Sequence, residues 1–418
     1  FFSVLVVMHK ISETIRHHKE KREERKGSFG RRKGSDAQVV PVPEAFVSAD
    51  KPVGSATAVD RKKGGYQGKH DPRADWHQLD AMNEERFMES TNETSKLEAL
   101  LRSRQQDSGS KREEARTKWG RSVIEEEPGP EYTGPRPKFP LGELDAFDIY
   151  HHVKTRPDMS LHPMYMAKML FDAHKLFQHL PRVTEVTHAD GKHEKFVVVG
   201  DLHGQLPDLL YIIEKQGLPG PGRTMYLFNG DFVDRGTHGV EVVTLLIAFK
   251  LAFPDSVHLN RGNHEDDQIN MKYGFLDEVQ RKFGRGHMYA EFQELWNCLP
   301  VATTIDGLAL VLHGGLFRQE GVTLSHLKAL PRSSCNLQPK TFQETLMVDL
   351  LWSDPSDKSG HDRGIRGGNT VNFGPDVTHK FLAQNNLKML IRSHEVPHSN
   401  KGYEVRHNGR CVTVFSAS

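Results

Sequence analysis

From residue 135 to 418 the chain predicts an α/β fold in which two mixed β-sheets pack together and helices flank them. Three observations carry that prediction. Five apolar, strand-like runs each stop at a short polar motif, segments of helical spacing separate the first three, and after Pro300 the texture changes to short β-like pieces.

The elements follow in order. LHPMYMAKMLFDAHKLFQHL (161–180) has apolar residues at helical spacing: Met164, Met166, Met169, Leu170, Leu176 and Phe177. Its His162, His174 and His179 read as surface or packing residues, because no second group is tied to them in sequence. HADGKH (188–193) carries turn chemistry, so a hairpin is expected to end in the strand KFVVVG (195–200). DLLYIIEKQG (208–217) and GVEVVTLLIAFKLAF (239–253) read as helices after the first two motifs, with Gly217 stopping the former. MYLFNG (225–230) and SVHLNRG (256–262) complete a βαβαβ series, which sets the loops after its strands along one sheet edge. HMYAEFQELWNCLP (287–300) is a further amphipathic helix. VATTI, LALVL, YEVRH and RCVTVF then suggest a second sheet packed on the first, with GRC (409–411) closing a hairpin.

Composition limits the function classes. The 418 residues carry a formal net charge of +1, so a nucleic-acid-binding body is not suggested. Residues 1–134 are rich in Lys, Arg, Glu, Gly, Ser and Pro and have few sustained apolar runs. They read as a largely disordered charged arm. Its basic run HHKEKREERKGSFGRRKGS (17–35) reads as a solvated segment, and the alternatives are a docking patch for a regulatory protein, a membrane-surface patch, or a basophilic kinase target at Ser28 or Ser35. A helix is expected at 92–106. FFSVLVVM at the start is far shorter than the roughly 20 residues a bilayer requires, and its basic flank lies on the wrong side for a signal peptide. No membrane span is expected. The chain starts with Phe, as a fragment lacking its natural start would. Cys298, Cys335 and Cys411 are isolated, which suits small buried hydrophobes and a reducing compartment, cytoplasmic or nuclear.

The polar motifs carry the chemistry. Asp201 and His203 lie in GDLHG, and Asp231, Asp234 and Arg235 in GDFVDRG. Asn263 and His264 lie in GNHE, His313 in HGG and His394 in RSHE. Each alone is an ordinary turn or loop ion pair. Five in succession deliver carboxylates, an amide and imidazoles to strand ends, as a two-metal site on an α/β scaffold requires. Two divalent ions neutralise a phosphate monoester dianion and lower the pKa of a shared water, making hydroxide available at neutral pH. Arginines add paired donors to the phosphoryl oxygens. A histidine held by an aspartate can give its proton to the departing alcohol. Oxygen and nitrogen ligands without thiolate suit Mn²⁺, Fe or Zn²⁺.

In their order, and with LLWSDP (350–355) and FGPDVT (373–378), these motifs resemble the phosphoprotein phosphatase family of Ser/Thr phosphatases across nearly all of 135–418. FNGDFVDRG, FGPDVTHKFL, RSHEV and RCVTVFSAS resemble its type-5 members. HLNRGNHED and the FSAS ending resemble its EF-hand-bearing members. The resemblance implies a calcineurin-like metallophosphoesterase fold and hydrolysis of phosphoserine and phosphothreonine in proteins. It implies a first metal on Asp201, His203 and Asp231. Asp231 bridges to a second metal, completed by Asn263, His313 and His394. Arg235 and Arg366, with Asn263, bind phosphate oxygens, and His264, oriented by Asp234, is the proton donor. Glu265 and Trp352 read as structural, for loop support and core packing, and Arg261 and Arg392 as partners of loop carboxylates.

Two departures from the family pattern stand out. Arg366 lies seven residues before Phe373 where the family has six, with Arg363 as a weaker substitute. The chain also stops at Ser418, before the tyrosine and last strand of the family core, so reduced activity is expected. A metallophosphoesterase acting on nucleotides or diesters, and a catalytically weak scaffold, are the alternative functions. LLWSDP and FGPDVT argue against the first, and the full ligand set with His264 against the second.

Overall fold

The computed structural model describes residues 127–188, 190–284, 286–398 and 401–418. The basic run at 17–35 and the expected helix at 92–106 lie outside the described residues. Packing onto the domain begins slightly before Pro135: Tyr132 Oη accepts from the His162 backbone N–H at 3.2 Å. Helices α1 (Glu143–Thr155) and α2 (Pro163–His179) come first. Pro163 opens α2, and the His162 imidazole accepts from Met164 N–H at 3.3 Å, making that histidine a cap. Pro181 disfavours helical backbone at Leu180, which is extended and ends the helix.

Strand β1 (Val183–Val186) is followed by β2 (Lys195–Val199), α3 (Leu206–Gln216), β3 (Thr224–Phe228), α4 (Gly239–Ala252) and β4 (Val257–Leu259). Strands β2, β3 and β4 pair in parallel as one sheet, so all three carboxyl ends share an edge. Gly217 at φ 99° ends α3. Nearly every residue of α4 is buried, as expected of a helix apolar on all sides. Each of its larger apolar side chains contributes about 1.5–3 kcal/mol by burial.

The hairpin expected at 188–193 does not form. β1 pairs in parallel with β5 in another sheet, and β2 pairs with β3. The turn chemistry is present, with Gly191 at φ 73°, but it reverses a crossover rather than joining neighbours.

Helices α5 (Asp267–Tyr273), α6 (Phe275–Phe283) and α7 (Gly286–Cys298) lead to β5 (Ala302–Ile305) and β6 (Ala309–Leu312). Beyond them lie α8 (Leu324–Lys328), α9 (Phe342–Trp352), β7 (Asp354–Pro355), β8 (His361–Arg363) and β9 (Val371–Phe373). The chain continues through α10 (Pro375–Gln384), β10 (Met389–Arg392), β11 (Tyr403–Arg406) and β12 (Cys411–Val414). The second sheet has six strands in the order β1-β5-β6-β10-β12-β11, and the hairpin at 409–411 forms as expected. A third, small sheet, β7-β9-β8, had no counterpart in the sequence reading.

One apolar cluster surrounds the first sheet and takes in Val197, Tyr226, Phe292 and Trp296. A second, around the six-stranded sheet, takes in Leu310, Leu346, Leu382 and Leu390. The polar seam between the sheets is hydrogen-bonded: Asn229 Nδ2 donates to Leu312 O at 2.8 Å, and Asn260 Nδ2 donates to Val311 O at 3.2 Å. The carboxyl ends of β2, β3, β4, β6 and β10 therefore meet along this seam.

Candidate metal centre

The loops that reach the seam are bent sharply at the residues with chemistry. His203, Asp231, Asp234, Arg235 and His394 all have left-handed backbone, with φ of 43°, 54°, 68°, 67° and 74°. Such conformations cost non-glycine residues on the order of 1–3 kcal/mol each and persist where the surroundings over-determine them. One determinant is close contact between loops. A Cβ on Gly230 would lie 2.4 Å from Gly262 Cα, and one on Gly262 would lie 2.3 Å from Asp231 Oδ1. The other is Glu265, fully buried: Oε2 accepts from the N–H groups of Asp231 (2.7 Å) and Gly262 (2.8 Å), and Oε1 from Phe232 N–H (2.8 Å). Glu265 thus supports the loops, as expected.

Two buried triads of donor groups converge there. His203, Asp231 and His264 form one, and Asp231, His313 and His394 the other; within each, one ligand atom per residue lies within 4.8 Å of the others. Asp231 belongs to both. Asp201 adds a carboxylate to the first, with Oδ2 3.7 Å from His203 Nε2. Asn263 adds its amide to the second, with Oδ1 2.8 Å from His313 Nε2. The six expected ligands therefore meet. The remote nitrogens of two imidazoles are anchored, His203 Nδ1 on Val233 O at 3.1 Å and His313 Nδ1 on Asn229 O at 2.8 Å. This turns both Nε2 atoms towards the cluster, the arrangement by which histidine ligands are oriented.

The charges show what such a cluster is suited to hold. Burial, and then the Asp231 charge, pushes the Asp201 carboxyl up to about 6. Burial opposes ionisation of Asp231 too, but the His313 and His264 imidazoles outweigh it and hold that carboxyl well below its ordinary range. Burial pushes His203 and His394 well below the usual imidazole range, which keeps both imidazoles neutral. His313 is raised to about 9, because the Asp231 carboxylate, with Oδ2 3.3 Å away, overcomes burial. Asp201 Oδ2 is buried without a hydrogen-bond partner. An oxygen-and-imidazole donor set, acceptor facing acceptor and held out of water, fits divalent cations.

His264 sits in the first triad, but its Nδ1–H donates to Asp234 Oδ2 at 2.8 Å. Only Nε2 remains for the cluster. Arg235 lies beside it, its guanidinium 5.5 Å from the centre of the Tyr273 ring. Tyr273 in turn stands edge-on to His264 at 5.1 Å. Arg366 reaches the seam despite its shifted spacing. The small third sheet carries it there: Nε donates to Asp354 Oδ2 at 2.7 Å, and an Nη donates to the His394 carbonyl at 2.9 Å. Arg363 lies exposed on β8 and is no substitute. Arg261 pairs with Asp266, and Arg392 with Asp354 and Glu395, as expected. Trp352 does more than fill the core, since its ring stands edge-on to His394 at 5.6 Å.

Sequence reasoning missed three residues that order the site: Asn229, Asp354 and Asn270. Asn270 Nδ2 donates to Asp234 Oδ2 at 2.8 Å. A lone Asn in a short helix was the available signal, and it is a weak one.

These features define a calcineurin-like phosphoesterase, and the family model of that description matches residues 194–398. The chain belongs to that family, within its phosphoprotein phosphatase branch, on the type-5-like side. It is 44% identical over 288 residues to serine/threonine-protein phosphatase 5 of Homo sapiens, covering 69% of this chain and 55% of that protein. It is 39% identical over 319 residues to serine/threonine-protein phosphatase with EF-hands 1 of Rattus norvegicus, covering 69% of this chain and 48% of that one. Among solved structures it resembles a Saccharomyces cerevisiae protein serine/threonine phosphatase described as similar to human PP5. The TM-score there is 0.58, with 36% identity, 64% of this chain and 82% of that chain covered. The chain spans about half the length of the curated relatives it matches.

Proposed function

We propose that this chain hydrolyses phosphoserine and phosphothreonine in proteins. The observation that carries the reading is Asp231, shared by two buried donor triads at the meeting edge of two sheets. Asp201, His203 and Asp231 would hold one divalent cation, and Asp231, Asn263, His313 and His394 a second. Mn²⁺ suits these ligands, as do Fe and Zn²⁺. When bound, the pair neutralises the phosphate dianion and acidifies the attacking water.

The chain's own residues do the rest. Arg235 and Arg366, with the Asn263 amide, bind and orient the phosphoryl oxygens. Arg366 is pre-positioned, because Asp354 fixes its guanidinium. The oxygen of water joins phosphorus as the P–O bond to the serine or threonine breaks, its electron pair staying on the leaving oxygen. His264 gives that oxygen the proton on Nε2 and recovers a proton from the water; its Nδ1–H stays on Asp234 throughout. The substrate is a phosphoprotein. The basic run at 17–35 would dock a regulatory protein, and the three buried free cysteines support a reducing compartment, cytoplasm or nucleus. Among the described residues no helix is long and apolar enough to cross a membrane.

The test is hydrolysis of a phosphoserine peptide by Mn²⁺-loaded protein, with a dinucleotide polyphosphate as the competing substrate. Peptide turnover that His264→Ala lowers by about 100-fold or more is expected. Turnover of the dinucleotide alone, or binding of less than one metal equivalent, would overturn the reading.

A further inference from the structure

Asn270 lies on α5 and is fully buried. All four of its amide's hydrogen-bonding positions are used. Nδ2 donates to Asp234 Oδ2 at 2.8 Å and to the His264 carbonyl at 2.6 Å. Oδ1 accepts from Gln293 Nε2 at 3.0 Å and from Trp296 Nε1 at 3.2 Å. An indole N–H can only donate, so Trp296 fixes Oδ1 towards α7 and thereby aims Nδ2 at Asp234. Asp234 is left no freedom: Oδ2 takes donors from His264 and Asn270, and Oδ1 takes Phe275 N–H at 2.9 Å.

We infer that Asn270 is a positioning residue for proton donation: one amide holds both the backbone of His264 and the carboxylate that orients its ring. The inference rests on the reading of His264 as proton donor. A merely structural Asn270 would, on substitution, weaken every reaction at the site alike. A positioning residue matters in proportion to how badly the leaving group needs a proton. A serine alkoxide needs one, whereas p-nitrophenolate departs without it.

The experiment compares wild type, Asn270→Asp, Asn270→Ala and His264→Ala as the full chain with Mn²⁺, on a phosphoserine peptide and on p-nitrophenyl phosphate. Asn270→Asp keeps an oxygen for Trp296 and Gln293 but replaces Nδ2, the donor to both Asp234 and the His264 carbonyl, with an acceptor. Both Asn270 variants are expected to lose about 10- to 100-fold in kcat on the peptide, with KM and bound metal unchanged. On p-nitrophenyl phosphate the loss is expected to be smaller, about threefold. Equal losses on both substrates would overturn the inference, as would failure of both variants to fold with metal bound. If His264→Ala itself shows no preference between substrates, the proton-donor reading fails and this inference with it. If His264→Ala discriminates and the Asn270 variants do not, only the role of Asn270 falls.

Discussion

The backbone N–H of His394 donates to Oδ1 of Asp201 at 3.1 Å, joining the loop after β10 to the loop after β2. These loops belong to different sheets, so one hydrogen bond sets the spacing of a ligand from each. It also occupies one oxygen of Asp201, while the other is buried without a hydrogen-bond partner.

Asp231 is the residue on which both halves of the centre depend. Asp231→Asn is expected to remove both metal equivalents, whereas Asp201→Asn or His394→Ala should each reduce chiefly one. Metal content of the purified variants decides it, and retention of both ions by Asp231→Asn would refute the shared role.

Glu265 should behave as a stability residue. Glu265→Ala leaves the N–H groups of Asp231, Phe232 and Gly262 buried and unpaired, at about 1–3 kcal/mol each. A loss of at least about 3 kcal/mol in urea unfolding is expected, with Glu265→Gln intermediate. An Ala variant as stable as wild type would contradict the clamp.

Arg366 and Arg363 separate on exposure and partners. Arg366→Ala is expected to lower kcat/KM on a phosphopeptide by about 100-fold, the scale for losing one positioned charge donor. Arg363→Ala should change it by no more than about twofold, as a surface substitution. The reverse ranking would mean that the shifted spacing has exchanged their roles.

Glu344 gives an acid-range prediction. Its carboxylate accepts from Lys340 N–H (2.7 Å), Asn336 Nδ2 (3.1 Å) and Thr341 N–H (2.9 Å), which lowers it from 4.5 to about 2. A depressed carboxyl stabilises the fold above its unfolded pKa, and that contribution fades as pH falls through the folded value. The gap in urea midpoint between wild type and Glu344→Gln should be full at pH 6 and shrink between about pH 4.5 and 2. A gap independent of pH across that range would show that the capping carboxylate is not responsible.

Much of this was legible in the chain. The helices α2, α3, α4 and α7 appeared as periodic runs because each buries one face or all of them. The polar motifs stood out because an apolar strand ends where its chain leaves the core. Pairing was not legible at β1 and β2. HADGKH states that the chain turns, but a strand's partner is chosen by the whole sheet, and β5 outcompeted the neighbour in sequence. Strands as short as β7 and β8 carry too few residues to show alternation, so the sheet that holds Arg366 in place was invisible.

The chain by itself determined which side chains are delivered to strand ends, and hence the class of chemistry, because local periodicity and loop composition encode both. Only the tertiary structure decided which donors face one another, that Asp231 serves two triads, and that Asn270 and Asp354 brace His264 and Arg366. Those relationships are hydrogen bonds and charge contacts between distant segments, and they arise only once two sheets close over a buried seam.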